Sequence, residues 1–190
     1  MTQTIDFSLH GERVLLRSWR ASDLAPFAAL NADADVMRHF PSRLTREESD
    51  ALVMRIQTHF IKYGFGPWVL EIPGQIEFGG FVGLLHVSFD APFTPAVEIG
   101  WRLLPQLWGK GYATEAAQLA LRYAFESLHL KRVVSFTAPA NLASLAVMHR
   151  LGMQPALPSE FQHPKLPPGH HLQLHKLFEI RLEEWLSRKA

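Results

Sequence analysis

A chain of 190 residues that is 47% hydrophobic can bury one sizeable core, and a formal net charge of +1 does not suggest a nucleic-acid binder, in which a clustered basic excess is expected. With no cysteine there is no disulfide framework, thiolate metal site or cysteine nucleophile. No apolar run is long enough to span a membrane, and the segment from Met1 to Asp6 lacks a signal peptide's basic and apolar regions; a cytoplasmic, single-domain chain is expected over 1–190, with its core at about 10–185.

Glu12 to Trp19 reads as the first strand, and Ser22-Asp23 is placed to cap a short helix ending near Asn31. Thr45 and Glu48 form a capping box. The helix they open carries Leu52, Ile56 and Phe60 in one stripe and stops at Gly64. Gly66 to Ile72 and Phe78 to Val87 read as a hairpin turned by Pro73-Gly74-Gln75, with Gly79, Gly80 and Gly83 marking a bulge or a close backbone approach. In the strand Val97 to Leu104, apolar Val97, Ile99, Trp101 and Leu103 alternate with Glu98, Gly100 and Arg102.

A helix follows from about Thr114 to Leu128, apolar around most of its circumference and therefore expected to be covered. Lys131 to Thr137 is a strand, and Asn141 starts a helix that Gly152 ends. A loop of about twenty residues precedes a last strand, Leu172 to Ile180, and an exit helix around Leu182 to Leu186. The order is β-α-α-β-β-β-α-β-α-β, with room for one more short strand after Met153.

The chemistry concentrates between the strand ending at Leu104 and the helix starting near Thr114. Gly109 and Gly111 allow a backbone turn there, and a helix start points unpaired N–H groups at whatever lies before it. A phosphate fits such a place. The segment lacks the Gly-Lys-Ser/Thr ending of a P-loop and is too short for the dinucleotide fingerprint.

Gln106, Gly109 and Gly111 resemble the Gln/Arg-x-x-Gly-x-Gly/Ala signature of the GNAT N-acetyltransferases, and Gly-Tyr-Ala-Thr-Glu-Ala is similar to the ribosomal-protein N-terminal acetyltransferase branch. Asn141-Leu142-Ala143-Ser144 with Leu151-Gly152-Met153 resembles a second segment of the same enzymes, with Met153 where phenylalanine is usual. The resemblance implies an α/β fold: a mixed, mostly antiparallel central sheet of six to seven strands, two central parallel strands splayed apart, and helices on both faces. It implies acetyl-CoA as acyl donor, with its amide arm filling the gap between the splayed strands.

On that basis main-chain groups of Trp108, Gly109, Lys110, Gly111, Tyr112, Ala113 and Thr114 are expected to hold the pyrophosphate, with Leu103 and Leu104 offering a free strand edge to the arm. Gln106 either braces the turn or faces the ligand; Lys110 either adds charge or is simply solvated. Trp101 reads as core. Asn141 is a preferred helix cap, and the resemblance adds a contact to the arm. Direct transfer to a primary amine needs that amine neutral, so a base is required; Glu98, on the polar face of its strand beside Gly100, is the candidate, or else it attracts an ammonium group. The resemblance places Ser144 near the sulfur as proton donor to the departing thiolate. His163, His170, His171 and His175 do not show metal-ligand spacing, and no metal is expected. Loops 32–45 and 155–171 are expected on the acceptor side, whether the acceptor is a protein N-terminus or a small amine, and a homodimer is allowed. The rival readings are a non-catalytic acyl-CoA-binding module and transfer of a larger acyl group.

Overall fold

The computed structural model describes residues 7–188; the segment Met1 to Asp6, read above for a signal peptide, and residues 189 and 190 lie outside the described residues. The described strands are β1 (Ser8–His10), β2 (Leu15–Arg17), β3 (Pro67–Glu71), β4 (Gly80–His86), β5 (Val97–Leu103), β6 (Arg132–Thr137), β7 (Gln154–Gln162) and β8 (Leu174–Arg181). The α-helices are α1 (Leu24–Ala32), α2 (Arg46–Tyr63), α3 (Tyr112–Glu126), α4 (Leu142–Leu151) and α5 (Leu182–Ser187). One mixed sheet runs β1-β2-β3-β4-β5-β6-β8-β7, antiparallel at every junction except β5–β6.

Period-two alternation sorts side chains to the two faces. Trp68, Leu70, Val82, Leu84 and Ile99 pack with Ala116, Ala120 and Ala124 of α3, whose small side chains let the helix lie close on the sheet. Val69 packs the other way, against Phe27 and Leu30 of α1 and Val53 and Ile56 of α2. A third cluster of Phe93, Val134, Phe161 and Leu177 covers β6 and β8. The capping box forms as expected: Glu48 N donates to Thr45 Oγ1 at 3.2 Å and Thr45 N to Glu48 Oε2 at 2.8 Å.

The sheet has eight described strands where six to seven were expected. One addition comes from Gly11: its N–H donates to Val14 O at 2.8 Å, folding Ser8–His10 back onto β2, so the strand expected over Glu12 to Trp19 is a short hairpin arm. The other is β7, which occupies half of the expected long loop. Pro155 and Pro158 disguise it, but β7 is an edge strand paired only to β8, and an edge tolerates missing N–H groups. Gly80, at φ 121°, realises the close approach: a Cβ there would lie 2.1 Å from Arg102 O.

The parallel junction positions the site. β4 and β5 pair along their whole length, from Gly80↔Leu103 to His86↔Val97, whereas β5 and β6 share one register pair, Glu98↔Val134. Ser135 Oγ donates to Ile99 O at 3.0 Å just beyond it. After that contact the two central strands part.

Candidate active site

Pro105 cannot donate a main-chain hydrogen bond, and the chain turns tightly from it: Leu107 N donates to Leu104 O at 2.9 Å and Trp108 N to Pro105 O at 3.0 Å. The Trp108 indole donates to Leu103 O at 2.9 Å, tying the turn to the end of β5. Gly109 and Gly111 then adopt φ of 71° and 83°, left-handed angles that strain any residue with a Cβ. The first helical bond of α3 runs from Glu115 N to Gly111 O. Consequently, among the described residues, the N–H groups of Gly109, Lys110, Gly111, Tyr112, Ala113 and Thr114 donate to no protein acceptor. Trp108 corrects the expectation: its amide is committed to Pro105, so the row of free donors begins at Gly109.

Arg13 completes this corner and was not found from sequence. Its guanidinium donates to Lys110 O at 3.1 Å and to Glu115 Oε2 at 2.8 Å, and lies 4.9 Å over the Tyr112 ring. It comes from the β1–β2 turn, far away in the chain, and no local pattern announces it. Lys110 and Gln106 are exposed, and the Gln106 side chain has no hydrogen bond among the described residues.

Leu104 corrects a second expectation. Its N–H donates to Gly79 O at 3.0 Å, toward β4. Peptide groups alternate along a strand, so those of Trp101 and Leu103, not Leu104, face the gap beside β6. Strand alternation could have given this from sequence, where Trp101 was read only as core.

Across the gap, Asn141 caps α4: its Oδ1 accepts from Ser144 N at 3.2 Å, and its Nδ2 donates to Thr137 Oγ1 at 2.9 Å. The Trp101 indole donates to Ser144 Oγ at 3.3 Å, which leaves the hydroxyl proton free of a protein acceptor. Ser144 therefore sits against β5 on the α3 face.

Glu98 lies on the opposite face, toward α1 and α2. It is half-buried, and among the described residues its carboxylate has no hydrogen-bond or ion-pair partner. Burial pushes its pKa up to about 7, and the Lys165 ammonium opposes that rise. Lys165 Nζ donates to Ser88 Oγ at 2.7 Å and reaches in from the segment after β7. His163 and His175, 5.0 Å apart, belong to an aromatic cluster with Phe89, Phe136 and Phe161. Burial, with His175 and Lys165 nearby, pushes His163 down to about 4, so it is neutral at pH 7. Among the described residues no group of three or more histidine, aspartate or glutamate side chains gathers as a metal site.

Arg102 shares this face, two strand positions beyond Gly100. Its guanidinium lies 4.1 Å over the Phe40 ring, and Nη1 donates to Asn31 Oδ1. Burial alone lowers its pKa to about 10.

The sheet opens between two parallel strands, and main-chain donors stand free at the start of the following helix. The chain belongs to the GNAT acetyltransferases: the model of that domain matches residues 13–154. The uncharacterized N-acetyltransferase YnaD of Bacillus subtilis is 29% identical over 176 residues, 92% of this chain and 96% of that one. A GNAT-family acetyltransferase of Bacillus anthracis superposes with a TM-score of 0.76 at 25% identity, over 93% of this chain and 99% of the other. RimJ of Mycobacterium smegmatis, solved in complex with CoA-disulfide, has the same fold, with a TM-score of 0.74 at 19% identity over 100% and 98% of the two chains. No described helix is long and apolar enough to cross a membrane.

Proposed function

We propose that this enzyme moves an acetyl group from acetyl-CoA directly to a primary amine, a small molecule or a protein N-terminus. The observation that carries this reading is Glu98: a carboxylate of pKa about 7, without a partner among the described residues, at the one register pair the parallel strands share. The protein fits the donor. Six N–H groups uncommitted among the described residues suit a diphosphate, and the peptide edge at Trp101 with the N–H of Leu103 suits an amide-bearing arm. When bound, acetyl-CoA supplies a thioester whose thiol leaving group has a pKa of about 8.5.

Glu98 then takes a proton from the incoming ammonium, directly or through water. With a pKa near 7 it is about half ionised at neutral pH, and a base works best near the operating pH. The neutral amine attacks the carbonyl carbon; the carbon–nitrogen bond forms and the carbon–sulfur bond breaks. Ser144, held by the Trp101 indole and the Asn141 cap, passes its hydroxyl proton to the departing sulfur and regains one from the nitrogen, which sheds its second proton as the amide forms. Asn141 retains a second N–H on Nδ2 for the arm. A cytoplasmic location and a homodimer accord with this chemistry but add nothing to it.

A thiol-release screen tests the reading: acetyl-, succinyl- and longer acyl-CoA against amino acids, polyamines, aminoglycosides and peptides. Acetyl-CoA with at least one amine class should release thiol well above hydrolysis. CoA binding without thiol release from any amine would point to a non-catalytic binding module.

A further inference from the structure

Among the described residues, Arg102 is a charged group without a counter-charge. Part of the residue reaches the surface, yet Nε is fully enclosed and has no hydrogen-bond partner. Nη1 has only Oδ1 of Asn31, whose Nδ2 donates to Ser49 Oγ at 2.8 Å, and the guanidinium face rests on Phe40 at 4.1 Å and Phe81 at 5.4 Å. No carboxylate of the described residues lies within ion-pair distance of it. Enclosing a charge among neutral groups is unfavourable unless a partner arrives, and a guanidinium is matched best by the oxyanion of a carboxylate or phosphate.

The ground beside it is open. A Cβ on Gly100 would meet no atom within 4 Å, and Gly100 lies between Glu98 and Arg102 on one face of β5. The Cα atoms at the two ends are about 13 Å apart along the strand, and both side chains are long. Phe40 and Asn31, which hold the arginine, bring α1 and the 32–45 segment over the same ground.

We propose that the acceptor is an amine that also carries an oxyanion, a carboxylate or a phosphate, separated from the amine by several bonds. Arg102 binds the oxyanion while the amine lies at Glu98 over Gly100. The inference rests on the acceptor side assigned to Glu98 above. It favours ω-amino acids and similar zwitterions over polyamines and aminoglycosides.

The test uses two readouts. Isothermal titration of the full chain with 6-aminohexanoate, aminopentyl phosphate and hexylamine reads binding without requiring turnover, and thiol release with acetyl-CoA reads turnover. One of the two anionic amines should bind about ten- to a hundredfold more tightly than hexylamine, and whichever it is distinguishes carboxylate from phosphate. Arg102→Gln, which keeps a donor for Asn31, should erase the preference, and Arg102→Lys should restore part of it; retained CoA binding reports that each variant is folded. Equal binding of all three amines by the wild type overturns the inference, as does an Arg102→Gln variant that keeps the preference or that loses CoA affinity instead. Thiol release without anion preference sinks this inference alone. Anion preference without thiol release sinks the acetyl-transfer reading alone.

Discussion

Two places in the sheet enclose charge, and they are resolved in opposite ways. On β2, Arg17 is buried with its anions built in: Nη1 and Nη2 grip Asp23 at 2.8 and 2.9 Å, Nε donates to Glu71 at 2.6 Å, and Glu77 O accepts at 2.7 Å. Burial alone would lower its pKa, but the bonds to Asp23 and Glu71 leave it raised. On β5, Glu98 and Arg102 have no opposite charge bonded to them among the described residues; each is pushed toward its neutral form by burial. A complete internal network holds the fold, whereas an incomplete one is a place where ligand groups complete the set.

The contrast breaks most visibly at Arg17. Replacing it with leucine leaves Asp23 buried and unpaired, and should cost about 3–5 kcal/mol of stability in urea unfolding. A loss below about 1 kcal/mol would erase the distinction between the two places.

Glu98→Gln should do the reverse, lowering kcat about a hundredfold or more while leaving acetyl-CoA affinity intact. The wild-type profile of kcat against pH should rise through a midpoint near 7 as the carboxylate forms, and the variant should lack that rise. Unchanged turnover would remove Glu98 as the base.

The same carboxyl sharpens the comparison through stability. Its folded pKa, about 7, lies above the ordinary value near 4.3, so the folded state holds the proton more tightly. Its contribution to stability is therefore fully present below about pH 4 and is lost as pH rises through 7. Glu98→Gln should gain stability relative to wild type between pH 5 and pH 8, measured by denaturant midpoint; a constant difference would mean that the carboxyl is not shifted.

Ser144→Ala should have the smallest effect, a fall in kcat on the order of a few-fold, since a thiolate needs little help to leave at neutral pH. A hundredfold loss would give Ser144 a larger share of the chemistry than the geometry supports.

How far the site could be read in advance follows from how local each part is. The row of free amides depends on one contiguous stretch, so Gly109, Gly111 and the helix start made it legible; Trp108 was misplaced, because a one-residue difference in where the tight turn ends decides whether its amide is committed. Leu104 was misplaced by a similar margin, one step of strand parity. Strand alternation put Glu98 forward as a candidate, and the family resemblance put forward Ser144; the structure sets them on opposite faces of the sheet. The β7 edge strand was half hidden by its prolines.

What the chain determined unaided is therefore its local grammar: the caps, the turns, the alternating faces, and the amides left free where a glycine turn meets a helix. Those features need only neighbours a few residues away. Tertiary structure alone decided which charges are matched. Arg13 reaching Lys110 and Glu115, Arg17 finding Asp23 and Glu71, Lys165 approaching Glu98, and Arg102 meeting only Asn31 and two rings all depend on where distant segments come to rest on the sheet. Burial and pairing are properties of the packed chain, and they set the protonation of Glu98, which no spacing in the sequence encodes.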